Sequence, residues 1–350
     1  MAPKADRAYS NILIVKLSAI GDVVHALPVA YALKQCFPAA RITWVVEKPS
    51  YDLLTDNPCI DEIIVFDKPR LKKLAGFRDY APAFVSLLRS RRFDLALDLQ
   101  ALFKSGAIAF LSGAPERYVY CNTRELSDWL SRKVCGPNRT GHVVERYLDV
   151  VRAIGCDVKQ AVFPIPITAD AAAAATVVAA RAGLDLACPY VILAPGANWP
   201  NKRWPAASFA ALADRLRQDG LIPVLSGGPG DAELAASISA LAAGPPVDLT
   251  GRTSLKQLAH IIKNARALVG GDTGPMHLAA ALATPVVALH GPTDTTRNGP
   301  YGSGHKALVT AYECAGCWRR ACPKGLDCLA GIPVEAVQEA LTAIMGTGHD

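Results

Sequence analysis

A chain of 350 residues that is 51% apolar and 19% charged is long enough for two domains, and its composition suits a soluble protein with sizeable cores. No apolar run is long and clean enough to cross a bilayer. The first run is strand-sized, contains Lys16 and is followed by no small-residue cleavage site, so no secretory leader is expected and the cytoplasm is the expected compartment. The formal net charge of +6 is lopsided: residues 1–165 carry 23 Lys/Arg against 17 Asp/Glu, while residues 166–350 carry 14 of each.

In chain order, ILIVKL (12–17), RITWVV (41–46), EIIVF (62–66) and DLALDL (94–99) are β-rich runs bounded by polar or turn residues. Their apolarity is continuous, the mark of strands buried on both faces of a parallel sheet. Helix-like stretches separate them, and Pro28 suggests that the first regular helix begins only there. The pattern weakens around 115–140. VFPIPIT (162–168) places two prolines in an extended segment, read as an interdomain linker, and an alanine-rich helix follows. The alternation then restarts with a strand at 190–195, a helix with Pro205 near its start and Gly220 past its end, a strand at 221–228 and a helix bearing Leu234, Ile238 and Leu241. Ser254 and Gln257 form a capping box, two further strands flank a helix at 275–283, and an amphipathic stretch at 333–344 closes the chain. Two runs of β-α alternation imply two doubly wound α/β domains, residues 1–165 and 166–350.

Residues 68–92 hold eight basic side chains, among them Lys72 and Lys73, against Asp79 alone, which would steer a polyanion or merely solvate a helix. The segment lacks the interleaved aromatics of a nucleic-acid platform, so nucleic acid is not an expected partner. Six of the ten cysteines are scattered, as suits reduced thiols in a cytosolic protein. The other four follow Cys314-x2-Cys317-x4-Cys322-x5-Cys328, a spacing open to a structural zinc site, to disulfides, or to plain thiols.

Ligands of doubly wound sheets bind beyond the carboxyl ends of the strands, so the loops there carry the chemistry. The first reads K-L-S-A-I-G-D-V-V-H-A-L-P. Asp22, near a helix start, is either a cap or a general base toward a hydroxyl, and His25 is more simply a packed core histidine. The second domain opens with A-P-G-A-N-W-P-N-K-R-W-P, a stiff loop presenting Lys202 either as a surface lysine or to a departing diphosphate. S-G-G-P-G-D-A-E offers Asp231 to ribose hydroxyls. G-G-D-T-G-P-M-H-L-A-A-A-L has strand, glycine turn and helix in the right order for a phosphate cradle at Thr273 and Gly274. There is no D-x-D metal signature and no G-x-x-x-x-G-K-[ST] loop. The one G-x-G-x-x-A, at 302–307, precedes a strand and does not open a helix, which argues against a dinucleotide-dependent oxidoreductase.

Together these three loops, with D-L-Q-A-L-F-K-S and H-V-V-E-R between them, resemble glycosyltransferase family 9, the ADP-heptose:lipopolysaccharide heptosyltransferases, over residues 11–300; the first loop is most similar to the heptosyltransferase I group. The resemblance implies a GT-B fold of two Rossmann-like domains facing across a cleft, the N-terminal one for the acceptor and the C-terminal one for the nucleotide sugar. It implies inverting transfer of heptose from ADP-heptose to a Kdo–lipid A acceptor, with no cofactor required. Asp22 would be the base and Lys202 would stabilise the leaving diphosphate. Ser18, Asn198, Asp231, Asp272, Thr273, Gly274 and His277 would hold the donor, and Lys72, Lys73, Gln100 and Lys104 the anionic acceptor at the inner-membrane surface. Some heptosyltransferase I sequences carry paired threonines where this chain has Ala197 and Asn198, which leaves the phosphate contacts and the nucleotide open. The alternatives are a related transferase using another nucleotide sugar, and a nucleotide-sugar-binding or cysteine-cluster interaction protein without turnover. Such a binder needs neither a base nor a leaving-group cation.

Overall fold

A computed structural model describes residues 8–72, 74–123, 125 and 127–346. The chain divides into two compact units, Met1–Pro166 and Ile167–Asp350. The first runs β1 (Asn11–Val15), α1 (Ile20–Cys36), β2 (Arg41–Val46), α2 (Tyr51–Leu54), β3 (Glu62–Val65), α3 (Leu74–Ser90), β4 (Leu95–Asp98), α4 (Phe103–Leu111), β5 (Glu116–Tyr120), β6 (Arg132–Val134) and α5 (Val143–Ala153). Its six strands lie in the order β3-β2-β1-β4-β5-β6, every neighbouring pair parallel. Ile12, Leu13, Ile14 and Val15 are all fully buried, as a strand with helices on both faces requires.

The second unit begins with α6 (Ala169–Arg181) and continues through β7 (Tyr190–Ala194), α7 (Ala206–Gln218), β8 (Ile222–Leu225), α8 (Ala232–Leu241), β9 (Val247–Asp248), α9 (Leu255–Lys263), β10 (Ala267–Gly271), α10 (Gly274–Ala281), β11 (Val286–His290), α11 (Thr295–Asn298), β12 (Lys306–Val309) and α12 (Val334–Gly346). The sheet order is β12-β11-β10-β7-β8-β9, again wholly parallel. Taken from each unit's own first strand, the two sheets have the same winding. Each has one switch point, between β1 and β4 in the first unit and between β7 and β10 in the second, where successive crossovers diverge and open a crevice at the strand ends.

Three sequence expectations are corrected here. The first helix does not wait for Pro28 but starts at Ile20 and carries the proline inside it. Val23, Val24, Ala26, Leu27, Val29 and Ala30 are buried along it, so packing outweighs the hydrogen bond that the proline removes. The weakly patterned stretch around 115–140 contains β5 and β6, whose sequences ERYVY and RKV are polar because they form the less covered end of the sheet. Four of the six scattered cysteines pair, Cys36 with Cys156 and Cys121 with Cys135. Packing of α1 on α5 brings the first pair to a Cα separation of 5.6 Å, and the adjacent β5 and β6 bring the second to 5.1 Å, both in bridging range.

The closing helix α12 packs on α7 of the second unit. Val337, Leu341 and Ile344 join Phe209, Leu212 and Leu216 in one core. Trp204, just ahead of α7, is buried beside them and donates its indole N–H to the Ile332 carbonyl (3.0 Å), while Arg215 pairs with Glu335.

Candidate active site

In the first unit the β1 run ends at Val15, and the chain leaves the sheet at the β1/β4 switch point. Gln100, just beyond β4, turns its side-chain oxygen onto this exit and accepts from the Leu17 and Ser18 amides (3.1 and 3.2 Å). Asp22 is the third residue of α1, and its Oδ2 accepts from the Ala19 amide (3.2 Å), so it does close the helix start. Its other oxygen lies 3.7 Å from the Lys16 ammonium, and 41% of its side chain remains exposed. The capping role and an outward-facing carboxylate therefore coexist in one residue.

Lys16 is only 2% exposed. It donates to the Tyr147 hydroxyl (2.8 Å) and the Leu99 carbonyl (3.1 Å) and lies over the Tyr147 ring. Burial lowers its pKa, but the Asp22 carboxylate, Tyr147 and Asp98 together outweigh that and raise it, so it stays a cation. Among the acceptor candidates, Lys104 is paired with Glu47 (2.9 Å) and Gln100 braces the loop as described. Lys72 ends a short 3-10 turn, Lys68–Lys72; its side chain, and the whole of Lys73, lie outside the described residues.

In the second unit the β7/β10 switch point is occupied by Lys202, the last residue of a 3-10 turn, Pro200–Lys202. Its ammonium sits over the Trp199 indole, 4.5 Å from the ring centroid, and 2.6 Å from Asp272 Oδ2. The other Asp272 oxygen meets His277 Nε2 at 2.8 Å. Burial alone would push the Asp272 carboxyl up, yet His277 and Lys202 hold it well below the usual carboxylate range. Gly271 is obligatory here, because a Cβ would overlap the Lys202 carbonyl oxygen. Thr273 precedes α10, makes no side-chain cap and turns its hydroxyl to the Gly271 carbonyl (3.3 Å). The Gly274 and Met276 amides of α10 thus have no side-chain cap, and Pro275 between them has no N–H.

Asp231 lies against the same loop. Its carboxylate accepts from the Gly228 amide (2.9 Å) and fills the space that a Cβ on Gly196 would need; Asn198 is exposed nearby in sequence. The structure thus brings Ser18, Asp22 and Gln100 to one switch point and Lys202, Asp272, Thr273, Gly274 and His277 to the other. A partly exposed carboxylate in a strand-end loop can take a proton, and a lysine beside an uncapped helix start suits a developing phosphate charge.

A sequence profile described as glycosyltransferase family 9 (heptosyltransferase) matches residues 83–326. The chain belongs to glycosyltransferase family 9. It is 28% identical over 320 residues to lipopolysaccharide heptosyltransferase 1 of Pseudomonas aeruginosa, covering 89% of this chain and 87% of that one. A solved family 9 glycosyltransferase from Veillonella parvula superposes with a TM-score of 0.84 at 25% identity, covering 97% and 98%. The fold is also that of the E. coli heptosyltransferase WaaC solved with ADP, with a TM-score of 0.76, 24% identity and coverage of 95% and 99%. The protein is thus a glycosyltransferase of the heptosyltransferase family of lipopolysaccharide core biosynthesis, with the α/β GT-B architecture.

Several site residues of this family 9 transferase escape the motif reading. Lys16, Asp98 and His290 each close an apolar strand run with one polar residue, a pattern that in a parallel sheet marks the ligand end. His290 is fully buried within electrostatic reach of Asp272, His277 and Lys202, and burial holds its pKa down at about 4. The four clustered cysteines range from buried (Cys328) to exposed (Cys317). Among the described residues, no group of three or more His, Cys, Asp or Glu is arranged to hold a metal ion.

Asp98 is fully buried beside Lys16 and accepts from the Gln100 and Ala101 amides, both at 3.0 Å. Burial raises its pKa from 3.8 to about 6, against the pull of those amides, Ser105 and Lys16. A raised folded-state pKa means that the native state binds the extra proton, so this stabilisation is complete below about pH 4 and is lost as pH rises through about 6. At about 1.4 kcal/mol per unit the span is on the order of 3 kcal/mol. Denaturant unfolding of wild type and Asp98→Asn should diverge over this range, the variant gaining relative stability toward pH 7. Parallel curves would refute the assignment.

Proposed function

We propose that the chain transfers heptose from ADP-heptose, with inversion, to a sugar hydroxyl of an anionic Kdo–lipid A acceptor. Donor binding is assigned to the second unit and acceptor binding to the first, and transfer needs no metal cofactor. The observation that carries the reading is the Lys202–Asp272–His277 cluster beside the uncapped start of α10, which fixes a lysine next to helix N–H groups at the switch point of the second sheet. The ADP-bound relative supports the choice of nucleotide.

In this mechanism the acceptor oxygen attacks the anomeric carbon from the face opposite the diphosphate, and Asp22 takes the hydroxyl proton as the new bond forms. The Lys16 ammonium, 3.7 Å away, helps to hold that carboxylate in place. The bond from anomeric carbon to phosphate oxygen breaks, its electron pair leaves with ADP, and Lys202 and the α10 amides meet the added charge. Asp231 binds the ribose, and Ser18 and Asn198 line the donor. The basic stretch around residues 68–92, with Gln100 and Lys104, takes the anionic acceptor at the cytoplasmic face of the inner membrane. No helix among the described residues is long and apolar enough to cross a membrane.

The test is calorimetric titration with ADP, UDP, GDP and ADP-heptose in buffer containing EDTA. Selective binding of ADP and ADP-heptose is the expected result. Preference for UDP or GDP would discard the heptose donor while keeping a transferase, and binding of none of them would favour a protein without turnover.

A further inference from the structure

The cysteine-rich segment after β12 lies outside the three transfer loops, yet it is fastened to two of the strand-end loops of the second unit. On one side the Gly316 and Trp318 amides donate to the Gly291 and Pro292 carbonyls (2.9 and 2.7 Å), just past β11. The Arg297 guanidinium lies over the Trp318 ring at 4.7 Å, and buried Cys328 packs so closely that a Cβ on Gly291 would come within 2.8 Å of its own Cβ. On the other side the buried Asn201, adjacent to Lys202, donates its side-chain amide to the Arg319 carbonyl (2.7 Å). The next residue, Arg320, places its guanidinium 5.5 Å from the centroid of the Trp199 indole, the ring that also carries Lys202 at 4.5 Å.

Resting on the reading of the Lys202 loop as the diphosphate site, we propose that Arg320 is a second diphosphate-binding cation, delivered to that site by the cysteine-rich segment. Two cations on one indole repel each other unless an anion joins them. The two are unequal. The charge of Lys202 is already taken by Asp272, whereas Arg320 makes no ion pair among the described residues. An arriving diphosphate competes with Asp272 for Lys202 but finds Arg320 uncompensated. A guanidinium also offers a planar fork of donors matched to phosphate oxygens, and its cation–π contact with the ring keeps it near the site before the ligand arrives. The segment itself turns tightly at Gly325, which has a positive φ and donates to the Cys322 carbonyl (3.1 Å), so the fold back toward Cys328 begins two residues after Arg320.

The experiment is calorimetric titration of the protein with ADP, UDP, GDP, adenosine and inorganic pyrophosphate in EDTA-containing buffer, for wild type, Arg320→Ala and Arg320→Lys. Arg320→Ala should weaken ADP and pyrophosphate by about 10- to 100-fold and leave adenosine unchanged, as expected for loss of one charge-assisted contact. Arg320→Lys should recover part of the loss, and added salt should narrow the gap between wild type and Arg320→Ala. Unchanged ADP affinity in Arg320→Ala would overturn the proposal, and so would an equal loss for ADP and adenosine, which marks a structural prop. If wild type prefers UDP or GDP, the adenine reading fails, while Arg320 keeps its role provided that Arg320→Ala weakens that nucleotide and pyrophosphate alike. Wild type that binds no diphosphate overturns both.

Discussion

Asp22→Asn is expected to lower turnover by about 10²- to 10⁴-fold, the usual worth of a general base, with ADP affinity unchanged. Asparagine is the informative replacement because of what Asp22 also does locally. Its Oδ2 accepts from the Ala19 amide at the start of α1, and an asparagine oxygen can keep that hydrogen bond. What the substitution removes is the negative charge facing Lys16 and the ability to take a proton. Lys16 would then rest on Tyr147, the Leu99 carbonyl and Asp98, so a modest loss of stability is expected alongside the catalytic one. Turnover assays with ADP-heptose, ADP calorimetry and thermal unfolding separate the two effects. A variant that keeps its turnover would leave Asp22 as a cap alone, and one that loses ADP binding in parallel would make it a shaping residue.

Lys202→Met should reduce turnover by about 10²- to 10³-fold, the range measured when one preorganised group is removed from a developing anion. The structure adds a complication and a way to resolve it. Lys202 is bonded to buried Asp272, so the single substitution leaves that carboxylate with His277 as its hydrogen-bond partner and removes one of the groups that hold its pKa down. Breaking one side of a buried pair is commonly destabilising by about 3–5 kcal/mol, so a fall in activity by itself does not separate lost catalysis from unfolding. The double variant Lys202→Met with Asp272→Asn removes both charges together. It should recover much of the stability and none of the turnover. If turnover returned with stability, Lys202 would be a structural partner of Asp272 and have no part in leaving-group departure.

The parallel sheets were legible because their strands are apolar without alternation, and a strand covered by helices on both faces has no reason to alternate. The same logic hid β5 and β6. At the less covered end of the first sheet, polar residues such as Glu116, Arg117, Arg132 and Lys133 are tolerated, so the apolar pattern weakens there. Pro28 misled for a related reason. Local propensity argues for a break, whereas the burial of α1 on both sides of the proline holds the helix together. The disulfide partners are 120 and 14 residues apart, and no local pattern specifies which cysteines meet.

Within the site, position at a strand end drew attention to Asp22, Lys202, Asp231 and the 270–277 loop, but it left Asp22 as either cap or base and Lys202 as either surface lysine or leaving-group cation; the resemblance to the family supplied the roles proposed for them. Sequence alone therefore determined the fold class, the division into two α/β units and the short strand-end segments to which the proposed chemistry is assigned. The tertiary structure decided which side chains share a charge. It joined Lys16 to Asp22, turned Gln100 into a brace for the Ser18 loop, tied Lys202 to Asp272 and His277, and laid Arg320 on the ring of Trp199. The physical reason is range. Periodicity and turn chemistry act over a few residues and are written locally, whereas an ion pair or a stacked cation depends on a distance of about 3–6 Å between groups up to more than a hundred residues apart, which only packing sets.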